Sequence, residues 1–293
     1  MLLISSLAAV IAPAFLISLV GYVWAKRGLP FDQVMITHLM TLVAAPALVF
    51  SIFTKMRLPL VDVATMGIAA VFCMLVMGVV GAVGLRLAGL SARVFLPSLI
   101  FSNVGNMGLP VCFFAFGDEG MALAMVYFAV AVVGQFTVGP ALAAGRFEVG
   151  KLLRLPFVYV TIVSVLLNVY GIRPPAWLAN TADLAGALAV PLMLMALGVA
   201  LAQLNVSRLG RATVLSLVRI LGGAATGWAV AFAFGLTGAA RGALVIESAM
   251  PVAVFNYLFA CMYDHEPEEV AGMILVSTAL AYLGLPFLVA ALM

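Results

Sequence analysis

The stretch FSNVGNMGLP, residues 101–110, decides how the chain is read. It places two asparagines, two glycines and a proline inside a long apolar run. Proline removes a backbone donor and crowds the preceding turn, and glycine weakens a helix further. Unpaired backbone is tolerated at bilayer depth only where protein or a wet cavity surrounds it. The stretch therefore predicts a broken helix that faces an internal polar site rather than lipid.

The rest of the chain agrees with that setting. Of 293 residues, 66% are apolar and 9% charged, too little charge to coat a soluble fold of this length. The composition predicts an all-α polytopic membrane protein. The net charge of +3 says nothing of nucleic acid, because the basic residues are scattered over short loops; the expected partners are the lipid bilayer and a small solute, with no nucleic acid. Cys73, Cys112 and Cys261 fall in apolar runs and read as packing residues, not as a disulfide frame. The first 28 residues lack a basic leader before their long apolar run, so they read as a first membrane helix, not a secretory signal.

A spanning helix needs about 20 apolar residues. Ten such segments are read: 2–24, 35–54, 62–85, 94–116, 121–143, 156–172, 186–204, 213–236, 242–262 and 269–291. The odd-numbered loops hold nine lysines and arginines (Lys26, Arg27, Arg86, Arg93, Arg146, Lys151, Arg154, Arg208, Arg211) and the even ones four (Lys55, Arg57, Arg173, Arg241). That bias predicts cytoplasmic odd loops and both termini outside the cell.

The prolines suggest an internal repeat. Pro13 and Pro156, Pro30 and Pro175, Pro46 and Pro191, Pro110 and Pro251, and Pro140 and Pro286 pair at separations of 141–146 residues. The two units, 1–145 and 154–293, carry five spans each, so the second enters the membrane from the opposite side. Such a 5+5 inverted repeat with interrupted helices is a transporter design. On this spacing NMGLPVCFFA (106–115) aligns with ESAMPVAVFN (247–256), which makes spans 4 and 9 the interrupted pair and matches Asn106 with Glu247. Asn103 lies ten residues from Arg93 and Pro251 ten from Arg241. At ~1.5 Å per residue both breaks sit about 15 Å deep, near the middle of a ~30 Å core. Pro110 and Pro251 suit the first turn of a second half-helix. Two converging helix N-termini make an anion site without arginine, and the carbonyls before each break could instead hold a cation.

At these residues the sequence resembles the auxin efflux carrier family, in the superfamily that includes the bile acid:sodium symporters. The resemblance rests on SNVGNMGLPVCFFAFGDEG (102–120), AVPLMLMALGVALA (189–202), ESAMPVAVFNYLFACMYDHEPE (247–268) and STALAYLGLP (277–286). It covers nearly the whole chain. The short segment GRFEVGKLLRL (145–155) stands where plant members carry a long central loop, as in compact bacterial members associated with malate or malonate. The resemblance implies spans 4 and 9 crossing as an X, a mobile core of spans 3–5 and 8–10, and a scaffold of spans 1, 2, 6 and 7, often at a homodimer interface. It implies elevator-like transport in a bacterial cytoplasmic membrane.

The candidate substrate site comprises Asn103, Gly105, Asn106, Gly108, Pro110, Pro251 and Asn256. Glu247 is the one carboxylate deep in a span, a functional expectation by default. It could carry a proton. In the bile acid symporters a glutamate before the ninth-span crossover and a Ser-Asn pair in the fourth span help to hold sodium, and Ser102, Asn103 and Glu247 match those positions. Pro251 stands where that motif has glutamine, so proton and sodium coupling are both open. Arg219, alone in span 8, is expected either to snorkel or to balance Glu247. His38 and His265 fall at edges, and Gln135, Asn168 and Gln203 read as interhelical hydrogen-bond formers.

The leading reading is a secondary transporter of a small organic anion, a malate- or malonate-like dicarboxylate or an aromatic carboxylate such as auxin, with no cofactor and no certain metal. A sodium-coupled symporter is the alternative. An enzyme is disfavoured, since no HExxH, GxSxG or P-loop motif occurs. A channel would need a continuous polar stripe that the spans lack.

Overall fold

The computed structural model describes residues 2–55, 59–144, 156–203, 209–263 and 265–293. The described elements are helical. They are α1 (Leu2–Lys26), α2 (Gln33–Leu39), α3 (Ala45–Lys55), α4 (Leu60–Leu87), α5 (Ala92–Ile100), α6 (Leu109–Ala144), α7 (Pro156–Val169), α8 (Ala176–Gly186), α9 (Ala189–Gln203), α10 (Leu209–Ala233), α11 (Gly238–Ala249), α12 (Phe255–Tyr263) and α13 (Pro267–Leu292). Among them, five stretches are long and apolar enough to cross a membrane: Leu60–Leu87, Val104–Gln135, Ala176–Gln203, Leu209–Ala233 and Pro267–Leu292. Each apolar segment read from the sequence falls on a helix, continuous or broken.

Where helices bend, a residue explains the bend. The expected segment 35–54 contains a wide turn, Met40–Ala44, between α2 and α3. Pro46 lies just beyond it, and the wider turn relieves the clash between its ring and the carbonyl four residues earlier. A second wide turn, Val104–Gly108, leads into α6. Gly117 (φ 63°, ψ −152°) then breaks α6 where the fourth and fifth segments meet, a conformation that glycine alone tolerates well.

The seventh segment begins earlier than expected. The sequence placed it at 186–204, but helix starts at Ala176, and α8 and α9 meet at 187–188. Asn180, Thr181 and Asp183 lowered the apolarity of 176–186 in the sequence. In the fold, Asp183 accepts a hydrogen bond from Ser51 of α3.

Packing gathers the helices around the breaks. α1 lies against α9 so closely that a side chain on Gly21 or Gly198 would overlap the carbonyl of Met195 or Ser18. α10 and α6 both flank α11. On α4, Met66, Ala70, Cys73 and Met77 face the core. Val71, Leu75, Val79 and Val83 on the same helix are exposed, the pattern of a helix with one face toward lipid.

Candidate functional site

The two breaks touch. Residues 101–103 and 251–253 leave helical geometry and pair antiparallel, with Ser102 opposite Val252. The amide of Asn103 donates to the carbonyl of Pro251 at 2.7 Å, and the amide of Ala253 donates to the carbonyl of Phe101 at 3.2 Å. This short ladder satisfies backbone groups that neither helix can satisfy, as apolar surroundings require.

Side chains complete the pairing. The Val252 amide donates to Ser277 Oγ at 3.0 Å, and that hydroxyl donates onward to the Ile274 carbonyl. Asn256 Nδ2 donates to the Phe101 carbonyl at 3.1 Å. Ser102 Oγ donates to the Glu247 carbonyl at 3.1 Å. The Asn103 carbonyl accepts from the amides of Met107 and Gly108, which closes the wide turn.

Three buried polar atoms beside the ladder have no hydrogen-bond partner: Asn103 Nδ2, Asn256 Oδ1 and Glu247 Oε2. Asn103, Asn256 and Glu247 are 4%, 3% and 0% exposed. Leaving such atoms unpaired opposes folding, and these three lie together at the break.

The Glu247 carboxylate occupies space left by Gly108. Any side chain at Gly108 would overlap it, and the Cys112 thiol donates to Oε1 at 3.8 Å. Gly105 instead makes room for the Phe128 ring, with 2.8 Å between that ring and a built Cβ. Asn106 is half-buried on the wide turn. Ser102, Asn103, Gly108, Pro251, Asn256 and Glu247 thus gather at the break, with Gly105, Asn106 and Pro110 on its α6 side.

Several expectations change in detail. One of the two prolines starts a half-helix: Pro110 falls in the first turn of α6, whereas Pro251 does not open α12. Pro110 is the second residue of α6, after the wide turn, and Pro251 lies in the extended break four residues before α12. Ser102 faces Val252 across the break, with Asn106 after its own break on the turn into α6 and Glu247 before the other in α11.

Arg219 neither snorkels nor bonds to Glu247. It is 1% exposed, and its Nη2 donates to the Ser248 carbonyl at 2.7 Å. Gln135 is buried, but its Nε2 has no partner, so the expected interhelical bond from that atom is absent. Gln203 and His38 are exposed. The side chains of Asn168 and Cys261 lie outside the described residues. Sequence reasoning gave no role to Ser277, whose hydroxyl supports the ladder, and read Cys112 as a packing residue, whereas its thiol meets Glu247. Ser277 and Thr278, adjacent polar residues in the apolar helix α13, were the available signal.

Residues 141–289, just over half the chain, match a family model described as membrane transport protein. An uncharacterized transporter of Methanocaldococcus jannaschii is 24% identical over 196 residues. That match covers 63% of this chain and 63% of the relative, so the chain spans less than two thirds of it. An uncharacterized transporter of Methanothermobacter thermautotrophicus is 25% identical over 284 residues, 92% of each chain.

Proposed function

The chain belongs to the membrane transport protein family, and from that premise we propose that it is a secondary active transporter of a small organic anion. The family and the apolar helices make it an integral membrane protein. The proposed substrate is a dicarboxylate of the malate or malonate kind, or an aromatic carboxylate such as auxin.

The observation that carries this reading is the ladder between residues 101–103 and 251–253 with unpartnered Asn103, Asn256 and Glu247 atoms beside it. Two helices broken at one level, with their backbone paired and polar side chains left over, supply binding groups for a polar solute in apolar surroundings. The amides of Asn103 and Asn256 would orient the carboxylate. Ser102, Asn103 and Glu247 would hold the coupling proton or sodium ion.

The proposed architecture has ten spans in a 5+5 inverted repeat, units 1–145 and 154–293, with spans 4 and 9 crossing. α4–α6 and α10–α13 would form the moving core, and α1–α3 and α7–α9 the scaffold, which could also carry a homodimer contact. The glycine-mediated approach of α1 to α9 supports a rigid scaffold. Both termini would be outside a bacterial cytoplasmic membrane. Arg211 lies 3.6 Å from Glu269 and 3.9 Å from Glu266, which supports placing those two loops on one side.

Uptake of labelled malonate, malate and indole-3-acetate into proteoliposomes tests the proposal. Uptake of at least one above protein-free vesicles is expected. Failure of all three would remove the organic-anion reading.

A further inference from the structure

Arg219 heads the fully buried large side chains, at 1% exposure in the middle of α10. Its Nη2 donates to the Ser248 carbonyl, while Nε and Nη1 have no partner. A guanidinium buried without a carboxylate is costly, and packing alone gives no reason for it.

Its position does. α11 ends at Ala249, so the Ser248 carbonyl belongs to the last turn, whose carbonyls a helix cannot satisfy internally. That end carries partial negative charge, and Glu247 adds a carboxylate to the same turn. Two glycines bring α10 onto it. A side chain on Gly223 would overlap the Ser248 carbonyl and come within 3.0 Å of Arg219 Nη1, and one on Gly227 would come within 2.9 Å of Val245 Cα. The other helix that stops at the break, α5, is finished differently. Its terminal carbonyl, on Phe101, accepts from the neutral Asn256 amide and the Ala253 backbone. Of the two carboxyl ends that meet at the ladder, one is held by an amide and the other by a cation.

We propose that Arg219 sets the sign of the solute. It offsets the negative end of α11, so the break favours a carboxylate over a cation of the same size. This assignment rests on the organic-anion reading. Arg219 acts through the α11 end and is a positioning and selectivity residue.

The test compares labelled malonate with 1,3-diaminopropane, a three-carbon chain with the opposite charge, in proteoliposomes of the full chain. Wild type should take up malonate in preference to the diamine. Arg219→Gln should raise the malonate KM about tenfold or more, with a smaller change in kcat, and should erode the preference for the anion. Arg219→Lys should keep the preference. It separates charge from shape even if the glutamine variant does not yield monodisperse protein. Unchanged KM and preference in Arg219→Gln would overturn the assignment, as would a lysine variant that loses the preference. Wild type that takes up neither malonate, malate nor indole-3-acetate would overturn the organic-anion reading, and the assignment with it. Normal wild-type uptake with an unaffected glutamine variant would overturn the assignment alone.

Discussion

The amide of Asn103 donates to the carbonyl of Pro251 at 2.7 Å, and this bond ties together α5 and α11 where each helix ends. Each break alone would leave backbone groups unsatisfied in apolar surroundings. Paired, they satisfy one another and leave Asn103 Nδ2, Asn256 Oδ1 and Glu247 Oε2 without hydrogen-bond partners. Function and folding therefore depend on different atoms of the same residues, and substitutions can separate them.

Asn103→Leu removes an amide whose Nδ2 has no partner, while the backbone bond to Pro251 persists. The variant should remain monodisperse in detergent, with a melting temperature close to wild type, and should lose uptake. Normal uptake would return Asn103 to a packing role.

Gly108→Ala should act through Glu247. The added methyl overlaps the carboxylate, and overpacking of this kind costs about 1–3 kcal/mol. Adding Glu247→Ala should recover most of the lost thermal stability. A double variant no more stable than Gly108→Ala would show that the carboxylate does not fill this space.

Ser277→Ala leaves the buried Val252 amide without its acceptor. The expected loss is about 1–3 kcal/mol, read by thermal unfolding in detergent. Ser277→Thr keeps the hydroxyl and should recover most of it.

Composition and apolar runs made the helical membrane class legible in the sequence, because burial in lipid demands little else. The site was legible where a residue breaks a helix: the glycines, the asparagines and Pro251 all announce a departure from helical backbone. What the sequence hid is which break residue faces which. Antiparallel pairing of three residues has no periodic signature, so the contact of Ser102 with Val252 could not be read there. Arg219 was hidden for a related reason. A lone arginine in an apolar helix reads the same whether it reaches the interface or caps a neighbouring helix, and only the glycines at 223 and 227 hinted at so close a neighbour.

Nine lysines and arginines on the odd loops against four on the even ones predict that both termini lie outside the cell. A C-terminal fluorescent protein should stay dark, and a phosphatase fused at the same point should be active. The opposite pair of results would invert the orientation.

The most direct measurement is uptake of labelled malonate, malate and indole-3-acetate into proteoliposomes of wild type and Glu247→Gln, with pH and sodium gradients imposed separately. Wild type should accumulate substrate under one gradient. The glutamine variant keeps the shape of the side chain and removes its charge. It should still exchange substrate present on both sides, yet fail to accumulate it. If the ion is sodium, its sodium dependence should weaken, because an amide oxygen is a poorer ligand for a hard cation than a carboxylate. Glu247→Gln that accumulates substrate with wild-type pH and sodium dependence would contradict the account, and would move the coupling site away from the break.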